Sequence, residues 1–389
     1  MKRIPVCGSA AWVVLTCWTS AALAEVPARF IAKQFTEAPG RTPHQAGVMK
    51  VSMSSPTDSA VAVTTYHNDN SRQGLNAKET TLSLANVNPR QFGKLFSQPV
   101  DGFVFAQPLY LPNVTVPGKG VHNVVYVATQ HDTVYAFDAD SNADSNQQPL
   151  WQKNFAGPAA GISTVLSEEV NCRDIYPEIG ITGTPVIDAA TGTLYVVTKE
   201  KHRNKQFVQQ LHALDVSTSE EKFGPTEITT HVPGTGDGTS GGQIAFDPLR
   251  NNQRAGLLLN HGYIYISWAS HCDKGPYHGW VMVYDTRTLK QVAVWNATPN
   301  GGLGGVWHAG GAPAADQDGN VFLATGNGTF DADTGGVDFG DSLLRFAPPV
   351  KGQLPVLDFF TPYNQADLNA QDNDFGSGGP MLLPPQPRG

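Results

Sequence analysis

The residues able to do chemistry fall in a few short stretches rich in Gly, Pro, Asn and Asp. Val170-Asn-Cys-Arg-Asp174 and His271-Cys-Asp273 each place a cysteine beside a carboxylate. Two cysteines so placed form a disulfide or remain as buried thiols, depending on the compartment. His131, His271, His278 and His308 are candidate zinc ligands, but no two stand at the close spacing of a His-x-x-x-His site. Gly326-Asn-Gly328 opens a glycine-rich loop carrying Asp331, Asp333, Asp338 and Asp341. Such oxygen ligands suit calcium, although their spacing is not that of the twelve-residue calcium loop, and Asn327 also serves a plain turn. Lys199-Glu-Lys-His-Arg-Asn-Lys205 is a basic run of the kind a solvated loop carries. The stretch 234–242 is rich in glycine without a strand-to-helix context, so it is not a phosphate loop. A Cys-x-x-Cys-His haem signature is absent from the sequence.

The elements that must position these residues are short strands. The chain holds 40 Gly and 28 Pro in 389 residues, too many helix breakers for a bundle. Hydrophobic residues make up 40%, enough for a sizeable core. Apolar runs with a central aromatic recur: Val124–Thr129, Leu194–Thr198, Tyr263–Ser267 and Val321–Thr325. A second strand follows each, usually ending in Asp, as at Asp138, Asp215 and Asp285. A polar turn and a third strand come next, and a Pro-bearing strand precedes most copies, where Pro costs no ladder donor. Four antiparallel strands repeated about an axis make a β-propeller blade, so the fold class expected is all-β. Four units are expected, near 107–155, 184–232, 243–297 and 312–361. Phe92–Val100 reads as an outer strand, and Gly379–Leu382 as the first strand of a fifth unit. The propeller is therefore expected to be partial, over 59–389, behind a flexible segment at 25–58. In such blades the loop between strands two and three shares a face with the inter-blade loops. That face gathers His131, residues 199–206, His271-Cys-Asp273, 326–340, Cys172 and Trp307.

The first 24 residues read as a secretory signal: Lys2 and Arg3, a short apolar stretch, and an Ala22-Leu-Ala24 cleavage site. Export to the periplasm or the extracellular space is expected, with no transmembrane segment. Removing the signal takes the net charge from −8 to −10, by loss of Lys2 and Arg3, and leaves Cys172 and Cys272. A disulfide between these two is the expected outcome in an oxidising compartment. A nucleic-acid surface is excluded by the acidic balance.

The Asp-x-x-Thr/Ser turns followed by Trp-bearing strands resemble the repeat of quinoprotein propellers, which use pyrroloquinoline quinone (PQQ) and calcium to oxidise alcohols or sugars. Thr65-Tyr-His-Asn-Asp-Asn-Ser-Arg72 and Asn86–Leu95 resemble that family's opening motif. Between Gly301 and Pro362 the family's order recurs: Gly-Gly-x-x-x-x-Trp307, Asp316-x-x-x-Asn320, Ala324-Thr-Gly-Asn327, Phe339-Gly-Asp-Ser342 and Thr361-Pro. The resemblance implies that Trp307 and Arg173 contact the quinone and that Asn327 and Asp273 hold calcium. Two departures count against catalysis. The family's two adjacent cysteines are reduced to Cys172 alone, and Asn364 occupies the place of its catalytic Asp, with Asp367 a possible substitute. An amide does not serve as a general base. The expected function is thus a binding or scaffold propeller for a protein or small-molecule ligand on the loop face. A PQQ- and calcium-dependent dehydrogenase is the alternative, and a hydrolase or lyase using the histidines and carboxylates of that face is a third.

Overall fold

A computed structural model describes residues 61–157, 159–373 and 375–384. The signal and the segment up to 58 fall outside the described residues. Four four-stranded antiparallel blades follow one another. The first is built from Leu109–Val116, Gly120–Ala128, Thr133–Asp138 and Trp151–Asn154. The second uses Val186–Asp188, Thr193–His202, Phe207–Asp215 and Glu221–Glu227. The third uses Leu258–Asn260, Tyr263–Ser270, Trp280–Asp285 and Gln291–Asn296. The fourth uses Ala314–Ala315, Val321–Ala324, Leu343–Phe346 and Val356–Phe360. The expected all-β, incomplete propeller is the fold observed.

The cores lie between blades, because both faces of an inner blade are covered and its strands read as near-continuous apolar runs. Thr133–Asp138 is buried at all six positions. Leu111, Val124 and Ala136 of the first blade pack with Leu194, Val196 and Leu214 of the second. Trp268 and Trp280 fill the layer between the second and third. The central aromatics also tie neighbours together. Tyr126 Oη donates to the carbonyl of Val216 at 3.0 Å, and Tyr195 Oη to that of Thr286 at 2.9 Å. Each acceptor follows the Asp that ends the next blade's third strand. Those aspartates fold the turns: Asp215 accepts from the Ser217 N–H and Asp285 from the Arg287 N–H.

The residues 63–72 do more than open a motif. They cross the inner strands of all four blades. Val63 pairs with Tyr110, Thr64 O accepts from Ile187 N, Asn70 Nδ2 donates to Leu259 O, and Asn70 O accepts from Ala315 N. Arg72 is buried and donates to Pro313 O, Thr65 Oγ1 and the carbonyls of Tyr66 and Asp69.

Three expectations change. Phe92–Val100 forms no strand; the chain there runs beside the first blade, with Asn142 Nδ2 donating to Ser97 O and Gln98 Nε2 to Asn146 O. Gly379–Leu382 forms no strand either, though Leu382 N donates to Ser71 O. Lys199 and Glu200 are not loop residues: both are buried in Thr193–His202, which an added strand, Ile162–Leu166, extends by pairing with Glu200–His202.

Candidate functional site on the loop face

Cys172 and Cys272 are joined in a disulfide across 100 residues of sequence, with Cα atoms 5.8 Å apart. It ties the loop leading into the second blade to the loop between the second and third strands of the third blade. The shared face expected for these loops is thereby observed. Asp174 Oδ1 lies 2.9 Å from Cys172 Sγ. Behind the disulfide, buried His271 places Nδ1 3.6 Å from Asp174 Oδ1 and Nε2 2.9 Å from Lys199 Nζ. Lys199 also donates to Leu249 O and Asn251 O. Burial drives the Lys199 ammonium down to about 7, since desolvation disfavours the charged form. Burial, with the Lys199 charge second, drives His271 down to about 4. Burial works to raise Asp174, but its contact with His271 and the nearby Arg254 charge outweigh this and hold it below the usual carboxylate value.

Trp307 is half-buried on the loop that follows Gly301–Gly305. Glycine is required beneath it: a Cβ on Gly326 would stand 2.7 Å from Trp307 Cδ1. The Arg254 guanidinium lies over the indole, 5.6 Å from the ring centroid. Tyr277 meets the ring edge-on at 6.3 Å and donates its hydroxyl to Asp273. Burial raises the Tyr277 hydroxyl, and Asp273 and Asp372 add to the effect. Arg254 thus stands over Trp307 and acts on Asp174 through its charge, and Asp174 lies against the disulfide. Beside it is a cavity of about 210 Å³ lined by Phe105, Asp174, Ile175, Thr182, Arg254 and Ala309. A larger cleft of about 640 Å³, lined by Asp188, Lys222, His261 and Asp285, belongs to the turns at the other end of the blades.

Asn327 is buried, and its carbonyl accepts from Gly304 N. Its side-chain Nδ2 donates to Asp372 Oδ1 at 2.6 Å, while its Oδ1 has no partner. Asp372 caps the helix Gln365–Gln371 with a left-handed backbone (φ 54°). That helix is pinned by Gln365 Nε2, which donates to Gly328 O and Asp341 Oδ2. Asn364 is its N-cap residue and Asp367 an exposed residue of its first turn. Arg173 is exposed, paired with Glu168 and lying over Tyr176.

The structure thus brings together Trp307, Asn327, Asp273 and the disulfide, and adds Arg254, Tyr277, Asp174 and Asp372. Arg173 is engaged by Glu168, and Asn364 and Asp367 sit at the start of the helix Gln365–Gln371. The four histidines do not converge. His131 pairs with Glu178, His278 bonds Thr298 and Asp237, and His308 accepts from Ala324 N. Asp372 left a faint sign in sequence, as an acid ten residues beyond Pro362. Arg254 and Tyr277 left none, because neither lies in a recognisable motif.

This is a partial propeller with a polar loop-face site of the quinoprotein-dehydrogenase kind of fold. No protein-family model and no curated protein sequence matches the chain. Among solved structures it is similar to the quinohemoprotein alcohol dehydrogenase from Comamonas testosteroni, at 15% identity and TM-score 0.51, over 77% of this chain and 41% of that one. It is also similar to a quinohemoprotein alcohol dehydrogenase from Pseudomonas putida HK5, at 15% identity and TM-score 0.43, over 68% of this chain and 34% of that one. The chain spans less than half the length of either. At such identities the likeness shows the fold, while function belongs to the site.

Proposed function

We propose that the chain is a ligand-binding propeller module acting outside the cytoplasm, with a quinoprotein-like site altered away from catalysis. Arg254 carries this reading. Its guanidinium lies over the Trp307 ring, and its charge is felt at Asp174, so a planar quinone stacking on that face must displace a stacked cation. The adjoining cavity of about 210 Å³ is below the usual range of roughly 300–1,000 Å³ for cofactor pockets. Its mixed lining of Phe105, Ile175, Thr182, Asp174 and Arg254 suits a small molecule or a peptide side chain with one polar end. The disulfide supports a place in an oxidising compartment.

Titrating the folded chain with PQQ in calcium buffer, while following tryptophan fluorescence, tests this. No saturable quenching is expected. Saturable quenching abolished by a chelator would overturn the reading and establish its alternative.

That alternative, a PQQ- and calcium-dependent dehydrogenase, is favoured by one observation: the unpartnered oxygen of buried Asn327 beside Asp372. Hard oxygens of this type fit calcium. Asn327, Asp372 and Asp273 would hold the ion, and Trp307 would pack the cofactor, which supplies the hydride-accepting chemistry. On this reading Trp307→Ala abolishes quenching of the remaining tryptophans by PQQ, whereas Asn364→Ala leaves it unchanged.

A further inference from the structure

The disulfide is surrounded by metal-ligating atoms that the propeller does not otherwise need. Cys172 Sγ, Cys272 Sγ and a carboxylate oxygen of Asp174 lie within 4.8 Å of one another. Among the described residues this is the one such grouping of three or more His, Cys, Asp and Glu. A fourth ligand-type atom lies next to Asp174, outside that grouping of three. His271 is 1% exposed, and its Nδ1 makes no hydrogen bond. That nitrogen is 3.6 Å from Asp174 Oδ1. In a tetrahedral zinc site, bond lengths of about 2.0–2.1 Å put nitrogen and oxygen ligands about 3.3 Å apart. The observed separation is close to that. The contact between Nε2 and Lys199 Nζ fixes the ring orientation; with the ammonium donating, Nε2 accepts and Nδ1 carries the ring proton that must leave for a metal to bind there.

We propose that Cys172, Cys272, Asp174 and His271 form a redox-gated site for a zinc-class divalent ion, closed by the disulfide and opened by its reduction. The donor set of two thiolates, an imidazole and a carboxylate matches the ligand types zinc takes. With the disulfide intact neither sulfur is a thiolate, and the ion has too few ligands. A dithiol reductant gives two electrons to the disulfide and is itself oxidised to a disulfide. The two thiols then release their protons as the metal binds, and a third proton leaves the Lys199–His271 pair so that Nδ1 can present its lone pair. Cys172 is buried but Cys272 and Asp174 are exposed, which leaves the bond open to a reductant at the Cys272 sulfur. The proposal is independent of whether a quinone binds at Trp307.

The test uses the full chain, oxidised or reduced, with cobalt(II) chloride as a spectroscopic stand-in for zinc. After reduction, a thiol reagent should count two cysteines beyond those of the signal. One equivalent of cobalt should then give the visible bands of a tetrahedral thiolate site, and zinc should erase them. The oxidised chain should give none. Asp174→Asn and His271→Ala, each keeping both cysteines, should weaken cobalt binding by about tenfold or more. If His271→Ala fails to fold by circular dichroism, the exposed Asp174→Asn decides alone. Four outcomes would overturn the proposal: no tetrahedral bands after reduction, equal bands in the oxidised chain, binding indifferent to Asp174→Asn, or a disulfide that cannot be reduced without unfolding.

Discussion

Two buried histidines should set the acid limit of this protein. His271 and His308 are both held near 4 by burial, against 6.5 for a free imidazole. Between these values the unfolded chain binds protons that the folded chain refuses. Stability is therefore present above 6.5 and lost as pH falls toward 4. Urea midpoints measured across that range should drop, and His308→Gln, whose amide oxygen can still accept from Ala324 N, should flatten the drop. An unchanged slope would mean that His308 titrates normally. Lys199 acts with the same sign in another window: its folded value of about 7 lies below the 10.5 of a free lysine, so stability rises with pH between the two. Lys199→Met should remove that rise. The family resemblance points to Trp307, Asn327 and Asp273, and the cysteine count to Cys172 and Cys272. A basic run normally seeks water; Lys199 instead lies buried in the strand Thr193–His202, where the carbonyls of Leu249 and Asn251 accept hydrogen bonds from its ammonium.

Two elements hold the site in place. The disulfide closes a loop of 100 residues, and its loss should cost about 2–5 kcal/mol by releasing the unfolded chain. Replacing both cysteines with serine and comparing guanidinium midpoints measures this. The inner segment 63–72 is the second. Arg72 supplies hydrogen bonds to blade four and to its own segment from a buried position. Arg72→Met should strand those acceptors and cost about 2–4 kcal/mol, at roughly 1.5–3 kcal/mol per charged hydrogen bond less the gain from burying a neutral side chain. A midpoint within 0.5 M of the parent, on the order expected for a neutral surface change, would deny the segment that role. The blade repeat was legible because period-two strands and Asp turns are local. The helix Gln365–Gln371 was not: seven residues give too little periodicity, and it moved Asn364 to a cap and Asp372 to the site.

At the scale of the molecule, the arc of blades leaves apolar surface at both ends. Among the described residues, Leu343, Leu357 and Phe360 of the fourth blade are exposed, as are Phe92, Leu95 and Phe103 beside the first. Inner blades cover both faces, so a face with no neighbour keeps its apolar residues in water. The folded chain should bind a hydrophobic dye such as ANS. Leu357→Ser with Phe360→Ser should reduce that signal by about half, since the fourth blade's face is one of two such surfaces. Undiminished binding would locate the dye elsewhere.

The sequence by itself determined the architecture: strand period, turn chemistry and four repeat units are written in contiguous residues, and so are Cys172 and Cys272. Which side chains meet was decided only by tertiary structure. Arg254 reaches Trp307, Asp372 reaches Asn327, and His271 reaches Asp174 across separations of 53, 45 and 97 residues. Contacts of that kind depend on how blades pack and loops close, which no local pattern encodes.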